Sequence, residues 1–164
     1  MTRIAFADTE DDRVIAAVAA LESVPGITPV YADSVLAAAE MTRDGHVDAG
    51  IAGSVTSSPD CIRTALKTIG TATPGKLVCG CFFMHLGERV FTYADPAVVP
   101  NPDAEQLASI AIEAADAHRQ VVGDEPLVAM LSFSTLGSAE HPDVVKVRDA
   151  VAIVRERRPD ITVD

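Results

Sequence analysis

The sequence contains no tryptophan, and only two tyrosines and five phenylalanines in 164 residues, so any core must be built from aliphatic side chains and alanine. Lysine is nearly absent as well: Lys67, Lys76 and Lys146 are the whole set, and Lys plus Arg total 13 against 24 Asp plus Glu. The resulting net charge of −11 argues against nucleic acid and anionic membrane surfaces as partners, because basic patches supply most of the attraction to either. It also requires any phosphate-bearing ligand to find a locally positive pocket on an acidic body. No apolar run approaches the ~20 residues that a membrane helix needs, and no basic–apolar leader precedes the first strand-like segment. A cytoplasmic location without membrane association is therefore expected.

Several chemistry-bearing patterns are missing too. There is no GxxxxGK[ST] loop, no GxGxxG after the first strand and no GxSxG elbow. Their absence excludes P-loop nucleotide hydrolysis, removes the usual dinucleotide fingerprint and leaves nucleophilic catalysis by the protein poorly supported. Cys61, Cys79 and Cys81 are odd in number and give no disulfide framework. Cys79-Gly-Cys81 lacks the CxxC spacing of metal and redox sites, and no histidine cluster accompanies it, so no metal is expected.

What is present is a chain 48% apolar with a mean hydropathy of +0.22, enough for a real core. Strand-like segments at Arg3–Ala7, Ile27–Tyr31, Val47–Ala52, Lys76–Leu86, Arg89–Tyr93, Leu127–Leu131 and Ile161–Val163 alternate with helical patterns. The helices are expected from Asp12 to about Leu21, from a cap at Ser34 to near Gly45, from a cap at Ser58 to about Ile69, over Ala104–Val122, and from about Pro142 to Arg157. This alternation predicts an α/β fold, a mostly parallel sheet flanked by helices, with one β-hairpin turning at Gly87-Glu88. The Thr71–Gly75 stretch is the candidate boundary between a partial first α/β subdomain, 1–72, and a second, 73–164.

Two hydroxyl-rich loops follow strands and precede helices. In parallel α/β sheets, ligands sit beyond the carboxyl ends of strands, where such loops offer N–H and O–H donors. The loop at 128–138, V-A-M-L-S-F-S-T-L-G-S, follows what reads as a buried apolar strand. It is either a holder of an oxygen-rich anion or a plain polar strand-to-helix turn. The other, Gly53–Ser58, brings Ser54, Thr56, Ser57 and Ser58 to a helix N-terminus, with Arg63 on the same helix. A guanidinium there suits bidentate capture of a phosphate. The alternative is a capped helix with an exposed arginine. Asp60, three residues before Arg63, sits where it can orient it. Asp95 reads as a turn former, with support of a site residue as the alternative, and His118 as a histidine at the edge of the core rather than a ligand.

Taken together these residues resemble the phosphate acetyltransferase family, the phosphotransacetylases and the related phosphate butyryltransferases. The opening I-A-F-A-D-T-E-D-D-R-V is similar to the family's first strand and acidic turn. V-D-A-G-I-A-G-S followed by S-S-P-D-C-I-R-T-A-L is similar to its central strand, loop and helix. Cys81-Phe-Phe-Met, the Tyr93-Ala-Asp95 turn, V-A-M-L-S-F-S-T-L-G-S, V-K-V-R-D-A and R-P-D-I-T-V-D continue in family order. The resemblance implies a phosphotransacetylase-like, isopropylmalate-dehydrogenase-like fold and reversible acetyl transfer between acetyl phosphate and coenzyme A, in acetate metabolism. It implies acetyl phosphate, phosphate and CoA or acetyl-CoA as ligands, CoA acting as substrate. Arg63 is then the catalytic phosphate-binding residue, with Ser57 and Ser58 lining the same pocket and Ser132, Ser134, Thr135 and Ser138 as further substrate-binding candidates.

The departures imply as much. The family carries a long segment, including an active-site arginine, where this chain passes directly from Tyr31 to Ser34. It also continues past the position of Asp164 into a part bearing a Ser-Arg-Gly motif and a catalytic aspartate. Losing one preorganised donor costs about 10²–10³ in rate, so an abbreviated or truncated chain is expected to catalyse poorly. An acyltransferase and a non-catalytic phosphate- or CoA-binding or assembly module both remain open, as does a homo-oligomer formed through the strand edge at the end of the chain.

Overall fold

The computed structural model describes residues 1–73, 75–135 and 137–164. Pro74, in the expected boundary stretch, and Leu136, in the second hydroxyl-rich loop, lie outside the described residues. Two compact units divide the chain, Met1–Lys76 and Leu77–Asp164.

In the first unit, β1 (Thr2–Phe6), β2 (Ile27–Tyr31) and β3 (Ala49–Ile51) form a parallel sheet in the order β2-β1-β3. Thr2 pairs with Ile27 and Ile4 with Ala49. The helices α1 (Asp12–Leu21), α2 (Val35–Arg43) and α3 (Ser58–Thr68) alternate with these strands. Ala5, Ala7, Ala32, Ala38 and Val47 form the buried cluster. Its small side chains let the backbones approach closely. A Cβ added at Gly50 on β3 would stand 3.3 Å from Thr42 Oγ1 and 3.5 Å from the Ala38 carbonyl, both on α2.

Each helix of this unit starts where a short polar side chain takes up an otherwise orphaned N–H. Asp11 caps α1 by accepting from Arg13 N, and Ser34 caps α2 by accepting from Ala37 N. The cap of α3 is Ser57 rather than the expected Ser58, since the Ser57 carbonyl already accepts from Asp60 and Cys61.

The second unit holds β4 (Phe82–Leu86), β5 (Arg89–Tyr93), α4 (Ala104–Val121), β6 (Leu127–Val128), α5 (Pro142–Arg157) and β7 (Thr162–Val163). The hairpin β4–β5 and the parallel pair β6–β7 are separate two-stranded sheets. Ala108, Ala111 and Ala115 of α4 pack with Ala150 and Val154 of α5 and with Ile161 and Val163 to form the core. A capping box of Asp103 and Gln106 starts α4.

The fold is α/β with parallel pairing and one hairpin, as expected, but the strands form three small sheets. Two expected strands are shorter than their apolar runs suggest. Residues 76–81 do not join β4. The Gly80 N–H donates to the Asp95 carboxylate at 3.2 Å, and a Cβ at Gly80 would stand 3.1 Å from Pro96, so this backbone is committed to a turn rather than a ladder. The run at 127–131 pairs as a strand only at Leu127 and Val128. The expectation that it is buried is also corrected, for Leu127 and Leu131 are each 82% exposed. Alternating side chains on a two-stranded ribbon find cover on one face alone, here that of α4.

Candidate functional site

The Gly53–Ser58 loop is held from below by the acidic turn of the first strand. Asp8 has a left-handed φ of 57° and is only 6% exposed. Its carboxylate accepts from Gly53 N at 2.8 Å, Ser54 N at 2.9 Å, Val55 N at 3.3 Å and the Thr56 hydroxyl at 2.6 Å. The Thr56 hydroxyl dominates, with burial opposing it and the loop N–H groups adding to it, and the carboxyl falls to about 2. Asp11 accepts from the Ser54 hydroxyl and from the Arg13 guanidinium, whose Nη2 reaches the Ser54 carbonyl at 3.3 Å.

The donors of Ser54, Thr56 and the Gly53–Thr56 backbone, expected to receive an external anion, therefore already hold an internal one. The sequence signal for this was available in the turn A-D-T-E-D-D, whose acids read only as a helix cap.

The open end of the site is the start of α3. The Ser57 hydroxyl donates to Asp60 Oδ2 at 2.6 Å, and Asp60 Oδ1 lies 2.6 Å from Arg63 Nη1. Ser57, followed by Arg63, holds the Asp60 carboxyl below its ordinary range. The Asp60–Arg63 pair is 58% exposed on both sides. Such an exposed pair is screened by solvent and weakly held, so an arriving phosphate can exchange one anionic partner for another at little cost. Ser58 is exposed beside them, and the helix N-terminus adds its positive dipole end. The structure thus brings Ser57, Asp60 and Arg63 into one hydrogen-bonded group.

Ser132, Ser134, Thr135 and Ser138 form a second group, in the second unit. Ser134 N donates to Ser132 Oγ at 3.1 Å, Thr135 N to Ser138 Oγ at 3.1 Å, and Ala139 N to Ser134 Oγ at 3.1 Å. These hydroxyls act as acceptors for their own loop. Ser132, Thr135 and Ser138 are exposed and Ser134 is half-buried, which leaves the loop surface open to a ligand.

Asp95 is a turn former. Its burial opposes ionisation, and the N–H groups of Val98, Ala97, Val99 and Gly80 more than offset this, holding the carboxyl below its usual range. Burial raises the Cys79 thiol to about 11, aided by the neighbouring Cys81 and Asp95, and raises Cys81 as well. Neither is suited to act as a thiolate near neutrality. His118 bridges the Thr92 hydroxyl, 2.8 Å from Nδ1, and Asp124, 2.8 Å from Nε2.

The sequence model of the family described as phosphate acetyl/butaryl transferase matches residues 26–164. Among curated proteins, the phosphate acetyltransferase of Paracoccus denitrificans is 42% identical over 139 residues, a match covering 80% of this chain and 43% of that protein. That of Escherichia coli K12 is 44% identical over 132 residues, covering 80% of this chain and 18% of the relative. The chain thus spans less than half the length of these curated relatives. Among solved structures, a phosphotransacetylase from Streptococcus pyogenes superposes with a TM-score of 0.85 at 23% identity, over 99% of this chain and 67% of the other. The EutD phosphotransacetylase from Staphylococcus aureus gives 0.83 at 24% identity with the same coverage. At that identity the likeness is one of fold. No helix among the described residues is long and apolar enough to cross a membrane.

Proposed function

The chain belongs to the phosphate acetyl/butaryl transferase family, and from this premise we propose that it acts in the reversible transfer of an acetyl group between acetyl phosphate and coenzyme A. The observation that carries the residue-level reading is Arg63, held by Asp60 and Ser57 at the N-terminus of α3 with its ion pair open to solvent. In the forward step the CoA sulfur adds to the acetyl carbonyl carbon, the bond from that carbon to the phosphate oxygen breaks, and the thiol proton passes to water or a base. A thiol of pKa near ~8.5 needs only modest help to ionise. The protein's task is to receive charge on the departing phosphate. Arg63 offers a planar fork for it, and the hydroxyls of Ser57 and Ser58 complete the pocket. Ser132, Ser134, Thr135 and Ser138 are assigned to the CoA or acyl side. An isopropylmalate-dehydrogenase-like arrangement, a cytoplasmic location and self-association belong to the same proposal.

A second reading, a phosphate- or CoA-binding module without turnover, is favoured by the composition of the Ser57–Asp60–Arg63 group, which offers contacts to an anion through Arg63 while its one carboxylate is held below its ordinary range and so is a weak base. The test is acetyl-CoA formation from acetyl phosphate and CoA by the purified chain, with Arg63→Ala alongside. The enzymatic reading expects turnover that falls by about 10²–10³ in the variant. A folded chain without turnover, whose melting temperature rises with phosphate only when Arg63 is present, would establish the binding module instead. No response to phosphate or CoA in the wild type overturns both.

A further inference from the structure

The Arg63 site holds a group that an anion should avoid. Asp60, in the first turn of α3, has Oδ1 2.6 Å from Arg63 Nη1, and its Oδ2 accepts from the Ser57 hydroxyl at 2.6 Å. Ser57 first and Arg63 second keep this carboxyl below its ordinary range, so near neutrality it is ionised and only accepts hydrogen bonds. An anion seated on the same guanidinium has this carboxylate as its neighbour, and two like charges at such range repel.

The hydrogen bonding of the group shows what relieves that repulsion. An ionised carboxylate has about four lone-pair positions, and among the described residues the side-chain donors reaching Asp60 are Ser57 and Arg63. Arg63 turns Nη1 to Asp60 and carries further N–H donors in its planar fork. The pair thus presents donors on its arginine side and an acceptor on its carboxylate side, and both residues are open to solvent. A ligand that answers both halves carries an O–H as well as negative oxygens.

Tetrahedral anions divide on this point. Hydrogen phosphate is a dianion with an acidic O–H. Sulfate and monofluorophosphate have the same charge and nearly the same shape near neutrality, and they have no O–H. The first satisfies an ionised acceptor, whereas the other two leave it facing a negative oxygen.

We propose that Asp60 is a specificity-determining residue of the Arg63 site, which accepts the acidic O–H of inorganic phosphate and disfavours tetrahedral dianions that carry none. This role rests on the reading of Arg63 as the phosphate-binding residue, and adds to it the proton state that the site selects. Acetyl phosphate has no P–OH. In the transfer, the bond between the acyl carbon and the phosphate oxygen breaks, both electrons stay with that oxygen, and the phosphate takes up a proton from water. The contact with Asp60 is gained only then, so Asp60 favours released phosphate over bound acetyl phosphate.

The experiment measures dissociation constants of the purified chain for phosphate, sulfate and monofluorophosphate at pH 8 and matched ionic strength, by calorimetric titration. Wild type should bind phosphate roughly tenfold or more tightly than either of the others. Asp60→Asn keeps an acceptor and puts an amide donor in place of the charge. Sulfate and monofluorophosphate should then gain affinity, and the gap should close to less than about threefold. Arg63→Ala should lose all three anions. A wild type that binds the three equally, with all three lost in Arg63→Ala, overturns the role of Asp60 and leaves the Arg63 reading standing. An Asp60→Asn chain that weakens all three in proportion also overturns it, since a structural role alone produces that result. Phosphate binding that is absent from wild type, or unaltered in Arg63→Ala, overturns the Arg63 reading and the role of Asp60 together. The comparison of phosphate with monofluorophosphate uses wild type alone, and so decides even where Asp60→Asn fails to fold.

Discussion

The Asp8 carboxylate does for the Gly53–Thr56 loop what an external anion does for many strand-to-helix loops, and it does so from the interior. Its fall from 3.8 in a free chain to about 2 corresponds to a stabilisation on the order of 2 kcal/mol. Because the folded value is the lower one, this contribution is fully present above about pH 4 and is lost as pH falls toward 2. Asp8→Asn tolerates the left-handed backbone but removes the charge. It should lower unfolding free energy by about 2 kcal/mol at pH 7. Urea titrations stepped from pH 7 to pH 2 should show the gap to wild type closing, and a gap unchanged at pH 2 would refute the ionic account. Cys79 gives a chemical test of burial. With its thiol near 11, iodoacetamide at pH 7.5 should modify it at least ~10²-fold more slowly than in the urea-unfolded chain, since the thiolate is the reacting form. Equal rates would mean that this thiol is open to solvent and ionises freely. Arg63 was legible in the sequence because a lone arginine near a hydroxyl-rich helix start stands out. Asp8 was not, because an acid beside other acids reads as one more cap until the loop it serves is brought to it.

At the scale of elements, the helices were the most legible parts. Ser34 and the Ser-Ser-Pro at 57–59 announce two of the starts, and α5 runs over Pro142–Arg157 as its pattern predicts. The strands were less so. An apolar run such as Lys76–Leu86 carries no mark showing that Gly80 is claimed by Asp95. A run such as Leu127–Leu131 cannot reveal that one of its faces meets solvent. The seam between α4 and α5 depends on smallness: Ala108, Ala115 and Ala150 are at most 1% exposed. Ala150→Leu should overpack it and cost about 1–3 kcal/mol, with Asp103→Ala costing about 1 kcal/mol through loss of the cap. Thermal unfolding followed by circular dichroism measures both, and a stabilised Ala150→Leu would mean that the seam holds unfilled space.

Over the whole molecule, stability is distributed between two cores, each built from alanine and aliphatic residues as the scarcity of aromatics requires. Asp8 and Ala150 belong to different units. The unfolding penalties of Asp8→Asn and Ala150→Leu should therefore add to within about 0.5 kcal/mol. Native-state hydrogen exchange should localise the first to β1 and β3 and the second to α4 and α5. Coupling above about 1 kcal/mol in the double variant would show that the two sites interact energetically. The α/β class was legible because strands and helices alternate along the chain. The division into three small sheets was not, since pairing depends on which edges meet rather than on the apolar content of any run.

The internal engagement of the Gly53–Thr56 donors has a consequence for mutational tolerance. In a saturation screen scored separately for protein abundance and for ligand response, substitutions at Asp8, Gly53 and Thr56 should fail on abundance. Those at Arg63, whose side chain is anchored by an exposed carboxylate, should pass on abundance and fail on response. Intolerance at the hydroxyl-rich loop is thus a signature of folding, and the boundary between positions that select for structure and those that select for chemistry falls inside seven residues, between Thr56 and Arg63.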